Sequence, residues 1–296
     1  MNAPICLFTY NRLEETQKTV EALRANYLAG DSELYIFSDG WKSESGKEKV
    51  LGVRSYLKSI EGFKKVIIFE SPQNQGLAKS IIGGVTKVLE SHKRVIVLED
   101  DLVTAPNFLN FMNQGLEFYE DDENVISVSG YTLDLPSLPG RGDYYFGLRA
   151  SSWGWGTWRN RWEQIDWEVS DYEDFVKSTS LKKRFNRGGS DMCKMLSAQM
   201  NGRIDSWAIR FCYHQFKNGM VTVFPSSSKL YSVGFSSNAT HTVETKRFET
   251  NLDQSNKKSY LFEKYQGVDD MLVKEFRMKF SIKARVLDKI GKILRK

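Results

Sequence analysis

Short apolar runs alternate with amphipathic stretches through about the first hundred residues of this chain. The apolar runs cover residues 4–10, 34–38, 66–69 and 94–101, and the amphipathic stretches cover residues 13–29, 50–60 and 77–89. Runs of this length that are rich in β-branched and aromatic residues predict buried strands. Apolar residues at three- and four-residue spacing predict helices that cover a sheet. Strict alternation of the two predicts an α/β fold with a mostly parallel sheet.

The pattern changes after residue 101, where a predicted helix (108–119) and strand (125–130) lead into a loop rich in proline and glycine. We place the inner boundary of the fold in that loop, which divides one domain into a half over residues 1–135 and a half over residues 136–245. A helical basic tail over residues 246–296 is expected to follow. No apolar run approaches the roughly 18 residues of a membrane-spanning helix, so we expect a cytoplasmic protein without a span.

The most informative motif is the acidic triplet Glu99-Asp100-Asp101, which directly follows four apolar residues. It is predicted to lie at the carboxyl end of a central strand, the edge of an open α/β sheet where ligands bind. Three adjacent carboxylates repel one another and need a cation or several hydrogen-bond donors nearby. A divalent cation that bridges to a diphosphate would provide this compensation. The alternative is a solvated turn in which Asp101 caps the following helix.

Further polar residues follow the other predicted strands. Asp39, in Asp39-Gly40 after the second strand, can accept a hydrogen bond from a nucleobase N–H or can serve as a turn residue. Arg12 follows the first strand and Lys79 lies near the start of a helix, where a cation and free backbone N–H groups suit a phosphate. Either could instead be an ordinary surface charge.

Two residues of the second half are candidates for the remaining chemistry. Asp205 lies between Ile204 and Trp207, so we expect it to be partly desolvated, which suits a general base for a sugar hydroxyl. It could equally cap the helix that begins near Trp207. His241, in a polar stretch, could contact a metal or a phosphate, or could be a surface histidine.

Residues 145–167 contain five of the seven tryptophans, and most of these rings are expected to pack in the core. Trp155 is different because Gly154 and Gly156 flank it. Glycines on both sides of a large ring indicate close backbone approach and the wall of a pocket, as at a sugar site.

Taken together, these segments resemble the GT-A fold glycosyltransferases, and specifically the metal-dependent inverting enzymes of the N-acetylglucosaminyltransferase I type. The resemblance covers roughly residues 4–245. It is carried by Thr9 with Arg12, Ser38-Asp39-Gly40, Gly76-Leu77-Ala78-Lys79, Glu99-Asp100-Asp101-Leu102, Gly154-Trp155-Gly156 and Ile204-Asp205-Ser206-Trp207.

The resemblance implies a GT-A (Rossmann-like) mixed sheet, a UDP-sugar donor, a saccharide acceptor and Mn²⁺ or Mg²⁺ as cofactor. It implies that Asp39 binds the uracil, that Glu99 and Asp100 hold the sugar or ribose, that Asp101 ligates the metal, and that Asp205 is the base. The sequence departs from the animal enzymes in having Ser80 where they have a histidine. It also begins without their membrane anchor, which would fit a bacterial enzyme of surface-polysaccharide assembly.

Two other classes of protein compete with this interpretation. A nucleotidyltransferase shares the sheet and a metal-binding Asp, but it needs a glycine-rich, lysine-containing loop after the first strand, and Tyr10-Asn11-Arg12 is not one. A non-catalytic saccharide-binding module could use the tryptophans but has no use for the acidic triplet.

The basic charge of the chain is concentrated after residue 278. Residues 279–296 contain seven Lys or Arg and one acid, a local net charge of +6, whereas the net charge of the whole chain is +5. Apolar residues recur there at helical spacing, at Ile282, Val286, Leu287, Ile290, Ile293 and Leu294. A basic amphipathic helix of this kind can lie on the inner face of the plasma membrane, where a lipid-linked acceptor would be found. It could also pack on its own domain with a solvated charged face, and nucleic acid is a less favoured partner because charges elsewhere are balanced.

Overall fold

Eight strands form one sheet in the order β3-β2-β1-β4-β8-β6-β9-β7, and β5 pairs with β10 in a second, small sheet. The computed structural model describes residues 1–234 and 247–293, with side chains through residue 288. The strands are β1 (Ile5–Thr9), β2 (Glu33–Ser38), β3 (Lys65–Glu70), β4 (Arg94–Glu99), β5 (Leu102–Thr104), β6 (Val125–Ser129), β7 (Tyr144–Gly147), β8 (Trp155–Trp158), β9 (Val221–Pro225) and β10 (Leu230–Ser232). The helices are α1 (Leu13–Arg24), α2 (Lys47–Leu57), α3 (Leu77–Leu89), α4 (Phe108–Phe118), α5 (Arg159–Trp162), α6 (Tyr172–Lys177), α7 (Thr179–Phe185), α8 (Met192–Met200), α9 (Trp207–Lys217), α10 (Asp270–Lys279) and α11 (Ile282–Ile293).

The first four strands of the chain that join the large sheet are mutually parallel, as the strand and helix alternation predicts. β8 runs antiparallel between β4 and β6, and β7 runs antiparallel to β9. The sheet is therefore mixed but mostly parallel, with helices on its faces. The predicted fold class, an α/β sheet of the GT-A type, is confirmed.

The helix α1 ends five residues earlier than the apolar pattern indicates. The buried Asn26 ends it, because its amide Nδ2 donates to Ala22 O at 2.9 Å and to Thr104 Oγ1 at 3.0 Å. Its Oδ1 accepts from Leu109 N at 3.0 Å. An asparagine with these contacts ties the end of α1 to β5 and α4, which a pattern of apolar residues does not reveal.

The core lies on both faces of the large sheet. One face is covered by α1, α2 and α4, and the other by α3 and α9, and the tryptophan-rich segment contributes Trp158 to the first face and Trp155 and Trp162 to the second. Trp158 and Trp162 are buried, as the sequence predicts for them. Because both faces of the parallel strands are covered, β1 and β4 are apolar along almost their whole length.

Residues 247–269 pack on the domain without forming a helix, so the prediction of a tail that is helical from residue 246 is wrong for this stretch. Side chains of the domain form hydrogen bonds with the backbone of this segment. For example, Tyr260 N donates to Gln114 Oε1 at 3.0 Å. A buried ion pair between Lys229 and Asp253 anchors the segment, and Asn107 Nδ2 also donates to Asp253 Oδ2, at 3.1 Å. Helical structure begins only at Asp270.

The domain boundary that the sequence suggests near residue 245 remains a prediction. Among the residues that the structure describes, no helix is both long enough and apolar enough to cross a membrane.

We expect Asp253→Asn to lower the free energy of unfolding by about 3 kcal/mol at pH 7, because it leaves a buried lysine without its partner. Burial alone would raise the pKa of Asp253, but the hydrogen bonds from Lys229 and Ser255 hold it below its ordinary value. A carboxyl with a depressed folded pKa stabilises the protein above its unfolded pKa, and this contribution is lost as the pH falls below about 4. Urea unfolding at pH 7 and pH 3 measures both effects.

The control is Asp174→Asn, which removes an exposed ion pair with Lys177 (3.4 Å) and should change stability by less than about 0.5 kcal/mol. Equal losses in the two variants at pH 7 would contradict an anchoring role for Asp253.

Candidate active site

The ends of several strands meet at one edge of the large sheet. β1, β2 and β4 are parallel, so their carboxyl ends lie together, with Thr9 beside Ser38 and Phe8 beside Glu99 in the register. The antiparallel β8 begins at this edge, because Trp155 pairs with Val97 near the end of β4. The topology therefore brings the acidic triplet, the residues after β1 and β2, and the glycine-flanked tryptophan to one place.

Arg12 pairs with two carboxylates of the triplet. Its Nη2 contacts Asp100 Oδ1, and its Nη1 lies 3.2 Å from Asp101 Oδ2. The backbone N–H of Tyr10 donates to the other oxygen of Asp100 at 3.2 Å. Arg12, predicted as a phosphate contact, is thus the residue that compensates the buried charge of the triplet, and it lies where it could also reach a ligand.

Even with Arg12, the triplet carries excess negative charge. Burial raises the pKa of Glu99 to about 8, with help from the neighbouring Asp101 and Asp100. Burial also raises the pKa of Asp100 to about 6, although Arg12 opposes that rise. Among the described residues, the guanidinium of Arg12 is the cation paired with these three carboxylates. Ionisation of all three would leave two negative charges unpaired there, which equals the charge of a divalent cation.

The donor set fits Mn²⁺ or Mg²⁺ bound mainly through substrate and water. Carboxylate oxygens are the ligands these ions prefer, and they commonly take only one or two from the protein. Within residues 1–234 and 247–293, no group of three or more His, Cys, Asp or Glu side chains is arranged to hold a metal ion. A metal ion held by the carboxylate of Asp101, with a diphosphate and water as its other ligands, agrees with this ligand preference and with the absence of a larger cluster.

Gly234 closes over Asp101. Val233 N donates to Asp101 O at 2.8 Å, and a Cβ on residue 234 would lie only 1.8 Å from Asp101 Oδ2. Glycine is therefore required for the chain after β10 to pass this close to the carboxylate. The predicted metal contact His241 follows a few positions later and lies outside the described residues, so its role stays a prediction.

The carboxylate of Asp39 accepts hydrogen bonds from residues of the loops around it. Its Oδ1 accepts from Gly40 N and Gln75 N, each at 2.8 Å, and its Oδ2 accepts from Asn74 Nδ2 at 2.9 Å and Gly76 N at 3.0 Å. Four donors fill the acceptor sites of a carboxylate. The side chain fixes the loop before α3, and a contact with uracil, which stays a prediction, would require one of these bonds to be given up.

The first turn of α3 points the positive end of its dipole toward the site. Gly76 precedes the helix with a φ of 77°, and a Cβ there would lie 3.7 Å from Asp205 Oδ2. Lys79 lies exposed on the first turn of the same helix. The arrangement favours an anion at this helix end, and the contact of Lys79 with a phosphate stays a prediction.

Asp205 is exposed, not desolvated as the sequence suggests. Its side chain is 64% exposed, and its Oδ1 lies 3.7 Å from Arg210 Nη2. It does not cap α9 either, because Ser206 does so by accepting from Ile209 N at 3.3 Å. An unburied carboxylate beside the start of α3 is free to meet an acceptor from solvent. Its role as a base stays a prediction.

The ring of Trp155 belongs to the core. It is buried and stacks between Trp162 and Trp207, with ring centroids 5.7 and 4.7 Å away. The expectation that this ring lines a sugar pocket is wrong for this structure, because its face is covered on both sides. Gly154 has a φ of 52°, and a Cβ there would lie 2.0 Å from Leu230 Cδ2, so the glycine serves close packing against β10.

Thr9 is buried, and its hydroxyl has no hydrogen-bond partner among the residues that the structure describes. No sequence pattern singles out Tyr10 or Gly234, because a backbone N–H and a close backbone approach leave no pattern of their own.

The family model described as glycosyl transferase family 2 matches residues 5–173 of the chain. The alpha-1,3-mannosyl-glycoprotein 2-beta-N-acetylglucosaminyltransferase of Arabidopsis thaliana is 22% identical over 194 residues. That alignment covers 59% of this chain and 42% of the plant protein, so the chain spans less than half the length of this curated relative.

Two solved structures are similar to parts of the chain. The mannosyltransferase PcManGT from Pyrobaculum calidifontis, in complex with GDP-Man and Mn²⁺, has a TM-score of 0.40 at 11% identity and covers 56% of this chain and 47% of its own. TarS of S. aureus has a TM-score of 0.39 at 10% identity and covers 56% and 30%. Likenesses at this level are too weak to carry conclusions about the site.

We expect Arg12→Ala to lower the free energy of unfolding by about 3 kcal/mol at pH 8 in the presence of EDTA, because the buried Asp100 loses its cationic partner. The loss should be smaller at pH 5, where buried carboxyls with raised pKa values take up protons and no longer repel one another. Chemical denaturation at the two pH values, without metal, gives both quantities.

Arg24→Ala provides the control, since Arg24 is an exposed residue at the end of α1, the helix that follows Arg12, and should change stability by less than about 0.5 kcal/mol. If Arg12→Ala lowers the free energy of unfolding at pH 8 by no more than Arg24→Ala does, then Arg12 does not compensate the charge of the triplet.

Proposed function

Since the chain belongs to glycosyl transferase family 2, we propose that it transfers a sugar from a nucleotide-sugar donor to a saccharide acceptor with inversion at the anomeric carbon. The observation that carries this proposal is the undercompensated triplet Glu99-Asp100-Asp101 at the carboxyl edge of the sheet. Full ionisation of this cluster would leave two negative charges unpaired among the described residues, which is costly unless a ligand supplies positive charge. A donor diphosphate with its cation is such a ligand.

The proposal assigns one reaction step to Asp205, which lies near the start of α3. The acceptor hydroxyl oxygen forms a bond to the anomeric carbon while the bond from that carbon to the diphosphate oxygen breaks. Asp205 takes the proton of the hydroxyl, and its exposure and its place beside Gly76 support this assignment. The nucleoside diphosphate leaves with the bonding electrons.

Asp101 would hold a divalent cation, which would contribute positive charge for the diphosphate as it departs. Arg12 and the N-terminus of α3 are the protein's own positive groups at this site, and they orient the diphosphate. Glu99 and Asp100 accept hydrogen bonds from hydroxyls of the ribose or sugar. No separate acid is needed, because the leaving group departs as an anion.

The donor in this proposal is a UDP-sugar, and the transferred group is a hexosyl or N-acetylhexosaminyl group. The name of the plant relative, an N-acetylglucosaminyltransferase, supports N-acetylglucosamine as the first candidate. We further propose a bacterial enzyme of surface-polysaccharide synthesis with a lipid-linked saccharide acceptor, located in the cytoplasm at the inner face of the plasma membrane. The basic amphipathic helix is the element that supports that location.

The experiment is a thermal-shift screen of UDP, GDP, dTDP and CMP with and without Mn²⁺. A ligand at 100 times its Kd stabilises the folded state by about 2.7 kcal/mol, so UDP with Mn²⁺ should raise the Tm of the native chain by several degrees. Asp101→Asn should lose the part of the shift that depends on Mn²⁺, because a neutral amide is a weaker ligand.

The matched control is Asp31→Asn, an exposed acid before β2 and therefore at the opposite edge of the sheet. It should keep the full shift. A screen in which none of the four nucleotides raises the Tm, with or without Mn²⁺, would overturn the proposed donor.

Asp205→Asn should slow UDP release from a UDP-sugar, with water as the slow acceptor, by roughly 10²- to 10⁴-fold, the usual contribution of a general base. The KM for the donor should not change, because Asp205 contacts the acceptor side only. Steady-state rates of UDP release at saturating Mn²⁺ provide the measurement. A parallel rise in KM, or an unchanged rate, would rule out the assignment of Asp205 as base.

A further inference from the structure

The helix α11 turns its polar side toward the domain. Asp288 is only 11% exposed and pairs with Arg247, whose Nε lies 3.9 Å from Asp288 Oδ2. Ala284 and Arg285, on the same side by helical spacing, are also half-buried. A surface helix of a water-soluble protein normally buries its apolar side instead. The helix therefore does pack on its own domain, but over residues 282–288 the side that packs is the polar one, and the choice between the two interpretations of the sequence stays open.

Over residues 282–288, whose side chains the structure describes, the apolar side of α11 faces solvent. Ile282 is 71% exposed, Leu287 is 57% exposed and Val286 is 48% exposed, and Met278 at the end of α10 adds a further 57% exposed side chain. We name these four residues together with Lys283 the C-terminal patch. Exposed apolar side chains are ordinary when scattered, but a contiguous group on one helix side indicates an interaction site.

The charges around the C-terminal patch are sorted by sign. Residues 271–288 contain five basic residues and two acids. Both acids face the domain: Glu275 accepts from Ser137 N at 3.1 Å and from Ser137 Oγ at 2.6 Å, and Asp288 pairs with Arg247. Lys274, Arg277 and Lys283 are exposed. Asp270 at the start of α10 is exposed and pairs with Arg187 at 2.8 Å. Beyond it, the solvent side of residues 271–288 presents apolar and positive groups together.

We propose that the C-terminal patch docks on an anionic lipid surface, with α11 lying in the plane of the interface. Ile282, Val286 and Leu287 enter the boundary between headgroups and acyl chains, and Lys283 meets lipid phosphates. The positive charge around the patch favours an anionic lipid surface over a second copy of the chain, because a second copy would bring the same positive charge against the patch. At 12 residues, α11 fits an interfacial position.

This inference does not depend on the chemistry of the site, because lipid binding requires neither donor nor cation. It adds a constraint on orientation: the patch fixes which side of the domain faces the lipid. An acceptor attached to a lipid would then be presented in the same plane.

Vesicle flotation of the full chain tests the proposal, with neutral phosphatidylcholine vesicles and with vesicles containing 30% phosphatidylglycerol, roughly the anionic content needed for electrostatic attraction. We expect at least about tenfold stronger binding to the anionic vesicles at low salt, and a loss of that advantage at roughly 0.5 M NaCl, where charges are screened. The triple variant Ile282→Ser, Val286→Ser, Leu287→Ser should bind the anionic vesicles at least about tenfold more weakly.

The control is the double variant Leu51→Ser, Val176→Ser, which removes exposed apolar side chains elsewhere and should bind like the native chain. The Tm of each variant shows whether it is folded, and we expect little change because all five side chains are exposed. Equal binding to both kinds of vesicle, or no effect of the triple variant, would overturn the proposal. So would a dimer in sedimentation velocity that the triple variant abolishes, because a second copy would then cover the patch.

Discussion

The cost of holding three adjacent carboxylates at the buried end of a central strand is the constraint on which the site depends. Water cannot solvate Asp100 there, so the protein supplies Arg12 and the N–H of Tyr10, and both come from the end of the neighbouring strand. The compensation is incomplete, since the pKa of Glu99 remains raised to about 8. A fold that tolerates this imbalance does so where a charged ligand completes the site.

The same constraint explains why distant parts of the chain converge on β4. The segment after β10 passes over Asp101 and needs glycine at Gly234 to do so. β10 is held in turn by its pairing with β5, directly after the triplet. The buried pair of Lys229 and Asp253 then ties the segment after residue 247 to the turn that leads into β10. The acidic triplet is thus covered by a segment that lies more than a hundred residues further along the sequence.

The site and the C-terminal patch use charge in opposite ways. At the site, negative charge is buried and left short of partners, which favours a cation and a diphosphate. On α10 and α11, Glu275 and Asp288 turn toward the domain, whereas Lys274, Arg277 and Lys283 are exposed beside apolar side chains. Both arrangements are unfavourable for an isolated domain in water, and the ligands proposed above are of the kinds that would relieve them.

The sequence alone determined the alternation of strands and helices, the α/β fold and the position of the acidic triplet, because burial on two sides imposes long apolar runs and sharp polar ends. Local pattern does not record which donors a side chain meets, and there the tertiary structure decided. It filled the acceptor sites of Asp39 with its own loop, placed the ring of Trp155 between two other tryptophans, and left Asp205 exposed. It also decided which side of α11 faces water, since periodicity defines two sides of a helix but only packing chooses between them.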